Sequence, residues 1–153
     1  MSDKLLVEIF DNQRSLLVPL NRVVLLVETT LNFLKISTNQ IAIHFVSKAR
    51  IKEIHLQLFQ DPSITDCITQ PIDPPNLKKE NHFLGEVFIC PWVAKSYALK
   101  HHLDPYDELS LYLVHTLLHL SGLEDTTDAK AAKMRLAEKM VLEHLKNVNA
   151  LLK

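Results

Sequence analysis

At 153 residues, with 47% hydrophobic and 23% charged positions, the chain can bury one core and is too apolar to be a disordered segment. Its 17 Lys and Arg offset 18 Asp and Glu to a net charge of -1, so any contact with nucleic acid must rest on a local basic surface. Only two glycines occur, which excludes a Gly-rich phosphate cradle, and no apolar run is long enough to span a bilayer.

The first ten residues, MSDKLLVEIF, lack the apolar core of a signal peptide. Cys67 and Cys90 are far apart and form no CxxC pair. Their expected state is two reduced thiols near strands, and the expected location is the cytoplasm.

In chain order, Leu5 to Phe10 is β-rich enough for a first strand. Val23, Leu26, Val27, Thr30, Leu31 and Leu34 then recur at helical steps, with Pro19 expected in the first turn. Ile41, Ile43 and Phe45 alternate as a second strand. Ser47 is placed to cap a helix carrying Ile51, Ile54 and Leu58 on one face and the basic residues Lys48, Arg50 and Lys52 on its surface. FQDPS reads as a turn and TDCITQPI as a third strand. A proline-rich loop runs from Pro71 to His82. FLGEVFIC is a fourth strand, with Leu84, Glu86, Phe88 and Cys90 expected on one face and Gly85, Val87 and Ile89 on the other. A helix in PWVAKSYALKHH follows. Asp104 and Pro105 then open an apolar helix running to Ser121, and a last helix from about Asp128 turns Met134, Ala137, Val141 and Leu145 inward. The order βαβαββααα implies a single α+β domain over residues 1–153, a small mixed four-stranded sheet packed with about five helices.

Within the apolar helix the chain reads HTLLHLSGLED from His115 to Asp125. Residues four apart share a helix face, so His115 and His119 can offer ring nitrogens to one point, the spacing by which helices hold Zn²⁺. Gly122 supplies a natural helix end, after which the chain can return residue 124 or 125 to the same point. Two helix ligands and one loop ligand leave a position open, as in a catalytic zinc site. The other reading is two histidines belonging to a core helix. Thr116 follows His115, so the HExxH protease pattern and its built-in general base are absent.

HTLLHLSGLED resembles the YbeY-family hallmark HGxLHLxGYDH at His115, Leu118, His119, Leu120 and Gly122. ITDCITQP (64–71) resembles in part the family's PTDVLSFP, and Leu84-Gly85-Glu86-Val87 its LGDI, in the same order and spacing across essentially the whole chain. The resemblance implies a single-strand-specific, metal-dependent endoribonuclease of the cytoplasm. Such a protein matures the 3′ end of 16S rRNA and serves ribosome quality control, as a monomer acting on the small ribosomal subunit with no membrane attachment. It implies one Zn²⁺ per chain, held by His115, His119 and Asp125 at the family's third-histidine position, with Glu124 the competing third ligand. A carboxylate there weakens the Lewis acidity of the metal and admits harder ions such as Mn²⁺.

Two further departures bear on function. An arginine that the family carries before its TD motif is missing from Phe59-Gln60-Asp61, leaving Gln60 without charge and Arg50 or Lys52 as electrostatic substitutes. Thr116 replaces a family glycine and is expected to narrow the space near His115. Thr65 and Asp66 are expected either in the RNA-binding cleft or at a strand start. Glu86 and Asp125 are the candidates for a catalytic proton acceptor, Glu86 also as the group orienting a ligating imidazole. His101 and His102 are read as serving a helix dipole. Two alternatives stand beside the nuclease: a ribosome-biogenesis RNA-binding factor with weak or lost cleavage, and a hydrolase of another substrate.

Overall fold

The computed structural model describes residues 4–153, so the first three positions of the expected domain lie outside the described residues. Its elements are β1 (Leu6–Asn12), α1 (Leu20–Phe33), β2 (Gln40–Val46), α2 (Lys48–Phe59), β3 (Cys67–Pro71), β4 (Phe83–Ile89), α3 (Pro91–His101), α4 (Pro105–Leu120) and α5 (Asp128–Asn147). The strands form one mixed sheet in the order β1-β2-β4-β3. β1 and β4 lie parallel to β2, while β3 lies antiparallel to β4 at the other edge. Parallel pairing needs a crossover, and α1 provides it between β1 and β2. This is the α+β arrangement of four strands and five helices that the apolar periodicities predict.

Alternation decides which side of the sheet each strand residue serves. Ile41, Ile43 and Phe45 of β2 are fully buried and join α1, α4 and α5 in the main core. Val46 faces the other way and packs with Ile51 and Ile54 of α2, Ile68 and Cys90 in a second, smaller cluster. α4 is the central helix: Leu109, Leu113, Val114, Leu117 and Leu118 have no exposed surface. A helix apolar nearly all round survives only where other elements cover most of its surface.

Three local expectations change. Pro19 sits at the N-cap of α1 with ψ 98°, one position before the first turn. Leu58 is 44% exposed, because α2 buries only Ile51 and Ile54 against the sheet. Leu84 belongs to the main core with Val87 and Ile89 and does not share a face with Glu86 and Phe88. The cause is a register shift where Gln40–Ala42 of β2 faces Phe83–Glu86 of β4, since an extra residue in one strand breaks strict alternation.

Beyond that shift, Phe88 and Phe10 stack on the two sides of His44, with ring centroids 4.6 Å and 4.7 Å away. Glu86 takes part in this row, its carboxylate 2.5 Å from His44 Nε2.

Gly85 is required by close approach. A Cβ added there would lie 2.4 Å from Leu120 Cδ2 and 2.8 Å from the Gln70 carbonyl oxygen. The leucine tip can move; the β3 backbone cannot move without breaking the β3–β4 ladder. Gly85→Ala is therefore expected to cost about 1–3 kcal/mol as overpacking, read as a lower chemical-denaturation midpoint at unchanged slope. Native-like stability would mean that β3 and α4 do not close on β4 as described.

The loop before β4 is tied down by polar contacts. The His82 ring, 3% exposed as a residue, donates Nε2–H to the Pro74 carbonyl at 2.8 Å, with Nδ1 2.7 Å from the Thr38 hydroxyl. Asp73 accepts the Phe83 backbone N–H at 2.9 Å and pairs with Lys79 at 3.2 Å. The backbone hydrogen bond from Phe83, followed by Lys79, holds the Asp73 carboxyl below the usual carboxylate range. A depressed folded-state pKa contributes stability that is fully present above the unfolded value of about 4 and is lost as pH falls through the folded value. Acid unfolding of Asp73→Asn should accordingly show a shallower stability loss below about pH 4 than the native chain. Identical acid limbs would show that this carboxylate does not contribute.

Candidate metal centre

α4 begins where Asp104 accepts the Tyr106 N–H at 2.8 Å, with Pro105 in the first turn and Asp107 and Glu108 near the positive end of the helix dipole. Its buried faces hold it rigidly, and its last two turns carry His115 and His119 on the side that is not covered. Their side chains are 21% and 24% exposed, and their Nε2 atoms lie 3.0 Å apart. Each Nδ1 faces an oxygen that can only accept: Glu138 Oε2 at 2.6 Å for His115 and the Leu123 carbonyl at 2.9 Å for His119. Both Nδ1 atoms therefore carry the proton in the neutral rings, leaving two Nε2 lone pairs turned toward one another. Lone pairs that close repel unless a cation sits between them.

Gly122 shapes the third corner. The Leu123 N–H bonds to the Leu118 carbonyl at 3.1 Å and the Gly122 N–H to the His119 carbonyl at 3.0 Å, closing α4 in a Schellman motif. The motif places Gly122 at φ +109°, a conformation open to glycine and strained for other residues. The reversed chain presents the Leu123 carbonyl to His119 and carries Asp125 back over the histidines. Asp125 Oδ2 is 3.6 Å from the Nε2 atom of each ring. Glu124 points away to Lys130, whose hydrogen bond and charge hold its carboxyl below the ordinary range.

These distances fit a divalent ion. Bonds of about 2.0–2.1 Å in tetrahedral geometry put donor atoms about 3.3 Å apart, and the three observed separations bracket that value. Among the described residues, His115, His119 and Asp125 form a group of donor atoms lying within 4.8 Å of one another. A tetrahedral ion held by these two imidazoles and this carboxylate would keep one position open for water or substrate.

Glu138 was not singled out by sequence reasoning. Burial pushes its carboxyl up, but hydrogen bonds from His115 and Arg135 outweigh that and hold it below the ordinary glutamate range. It is 5% exposed and also accepts from Arg135 Nη1 at 3.0 Å and 3.2 Å. Such a carboxylate behind a ligating histidine fixes the tautomer and raises ligand basicity. A signal existed: Glu138 lies on the same α5 face as Met134, Ala137, Val141 and Leu145, an acid in an inward apolar stripe.

The centre lies in a cleft of two adjoining halves, with volumes of about 750 and 620 Å³. Thr65, Asp66, His115 and Asp125 line both halves. Asp66 also accepts the Cys67 backbone N–H at 2.8 Å, so it stands just before β3 and lines the cleft. Burial, reinforced by Asp66, pushes the Cys67 thiol well up, which keeps this cleft-wall cysteine protonated. The other expected RNA contacts are elsewhere. Arg50 is exposed on α2 and pairs with Glu53 at 3.1 Å. Lys52 is exposed on the same helix, and Gln60 caps its end with φ 56°. None of the three lines either half of the cleft. Glu86 is paired with His44 and touches neither His115 nor His119. Thr116 is fully buried with its hydroxyl bonded to the Leu113 carbonyl at 2.7 Å, so it does not narrow the cleft.

Comparison with known proteins gives the family. A family model described as endoribonuclease YbeY matches residues 8–146. A Chlamydia pneumoniae protein described as endoribonuclease YbeY is 39% identical, covering 98% of this chain and 97% of its own. One of the same description from Protochlamydia amoebophila is 44% identical over 75% of this chain and 76% of its own. A Thermotoga maritima protein solved in solution shares the fold, with a TM-score of 0.60 at 20% identity and 95% of each chain covered. With the family model spanning most of the chain and two such relatives aligned over three quarters or more of it, this protein belongs to the endoribonuclease YbeY family.

Proposed function

We propose that this protein is a metal-dependent endoribonuclease specific for single strands, in which His115, His119 and Asp125 hold one divalent ion. The observation that carries the reading is the convergence of three donor atoms at the junction of a two-part cleft, in a chain belonging to an endoribonuclease family. Zinc suits two imidazoles and a carboxylate, and the carboxylate also admits Mn²⁺. An ion so held supplies Lewis-acid stabilisation of the charge that develops on a phosphodiester during hydrolysis. The chain's own residues do the rest. Glu138 and the Leu123 carbonyl orient the two rings, and the buried α4 keeps them in place. The proton acceptor falls to the carboxylates that line both halves of the cleft, Asp66 and Asp125.

The cellular role within this reading is maturation of the 3′ end of 16S rRNA and ribosome quality control, on the small ribosomal subunit, by a monomer in the cytoplasm. Its support is the family's character and the match of three sequence motifs in order. A second reading, an RNA-binding factor with weak cleavage, is favoured by one observation: among the described residues no Lys or Arg lines the larger half of the cleft, so no side-chain cation there would share the charge that develops during cleavage.

The deciding experiment is a cleavage assay on single-stranded RNA, duplex RNA and a 16S precursor, with added zinc or manganese. The single strand and the precursor 3′ end should be cut, the duplex spared, and His115→Ala reduced to background. RNA binding without metal-dependent cutting would overturn the nuclease reading in favour of the binding factor.

A further inference from the structure

We propose that the smaller half of the cleft is a nucleotide subsite, which holds one unstacked base of the single strand against Tyr97 and the adjoining phosphate against Arg135. The inference rests on the endoribonuclease reading and adds to it where the strand is gripped.

The cavity of about 620 Å³ is of a size that takes a small organic ligand. It shares Thr65, Asp66, His115 and Asp125 with the larger half, so a strand passing from one half to the other crosses the His-His-Asp group. Its wall of Ile64, Val93, Leu111 and Tyr97 is apolar and aromatic. Such a wall suits the face of a base taken out of its stack, whereas in a double helix those faces are covered by the neighbouring bases. Tyr97 is 45% exposed, and its ring is backed by His101 at a centroid distance of 4.1 Å. The tyrosine thus presents a supported surface at the cavity, on a helix position that costs the core nothing.

The phosphate has one place to go. Among the described residues lining either half, Arg135, in the smaller one, is the only Lys or Arg, while Asp66, Asp73, Glu108, Glu124, Asp125 and Glu138 are acidic. The Arg135 side chain is 66% exposed, and only its Nη1 bonds to Glu138. A guanidinium has five N–H donors, so most of the fork is available to phosphate oxygens. Glu138 at the same time accepts from His115, so Arg135 is held at a fixed remove from the histidines through one shared carboxylate. This cation stands on α5, far in sequence from Phe59-Gln60-Asp61 before the TD motif.

The test compares the zinc-loaded native protein with Arg135→Gln, Arg135→Lys and Tyr97→Leu. Binding of a short fluorescent single-stranded RNA is read by anisotropy across a salt series before turnover, and zinc affinity is measured on each variant. Arg135→Gln should weaken binding roughly tenfold and flatten the log–log salt slope by about 0.7, the loss of one phosphate contact on a single strand. Arg135→Lys should restore most of the slope. Tyr97→Leu should weaken binding roughly tenfold with the slope unchanged, as loss of a stacking surface does. Unchanged affinity in both Arg135→Gln and Tyr97→Leu would overturn the subsite while leaving the nuclease reading intact. Weaker RNA binding by Arg135→Gln that only follows a fall in zinc affinity, at unchanged slope, would also overturn it, because the arginine would then act through Glu138. A native protein that neither binds nor cuts RNA overturns the nuclease reading, and the subsite falls with it.

Discussion

Replacing His115 and His119 together by alanine should abolish binding of the roughly one divalent ion per chain expected at a site of this kind, measured by metal analysis of the purified protein. The two Nε2 atoms are 3.0 Å apart, and their removal leaves Asp125 as the sole member of the donor group. One carboxylate, exposed in the loop after α4, offers no chelation. The fold should survive, because both side chains are on the open side of α4 and the core-forming leucines are untouched. Cooperative unfolding at a near-native midpoint in the metal-free state would separate loss of ligand from loss of structure. Full metal content in the double variant would refute the site. Asp125→His is the companion measurement. A third imidazole in place of the carboxylate should tighten zinc binding, and unchanged affinity would mean that residue 125 is not a ligand.

Removing the carboxylate behind the first histidine should have the next largest effect. Glu138→Ala deletes the acceptor 2.6 Å from His115 Nδ1 and leaves the ring free to change tautomer and to rotate. Loss of such a partner typically lowers metal affinity about 10–100-fold. It also leaves Arg135 without its partner and opens a space in the inward face of α5, so stability should fall as well. Glu138→Gln distinguishes the two effects. Its amide oxygen still accepts the Nδ1 proton, so it should lie between alanine and the native residue in metal affinity. If glutamine binds as weakly as alanine, the negative charge matters more than the orientation. If alanine binds as tightly as the native chain, Glu138 has no part in the site.

What could be read in the sequence was what is local along the chain. The nine elements and their order followed from apolar spacing and caps, because a helix or strand shows on itself which of its sides must be covered. The pairing of His115 with His119 is of the same kind: helix geometry alone brings residues four apart to one face. Gly122 as the end of α4 was likewise legible, since the positive φ that it adopts is an intrinsic property of glycine. The family resemblance drew on these same positions.

Tertiary structure decided what covers each face. Glu138 reaches His115 from α5, 23 residues further along, and no periodicity within α4 records that approach. Glu86 has a suitable side chain at a suitable place in the motif, yet sheet register puts it beside His44. The same register shift moves Leu84 into the main core, and the short burial of α2 leaves Leu58 in solvent. Between Glu124 and Asp125 the spacing was neutral. The Schellman turn and Lys130 together turn one carboxylate out and the other over the histidines. Sequence by itself determined the class of fold and the two-histidine half of the centre, since both depend on the geometry of single elements. Only the packed chain brought Asp125, the third ligand that the resemblance implies, over the two rings, and only it joined the carboxylate behind His115 and the one arginine that lines the acidic cleft among the described residues, because each joins residues that meet only when separate elements dock.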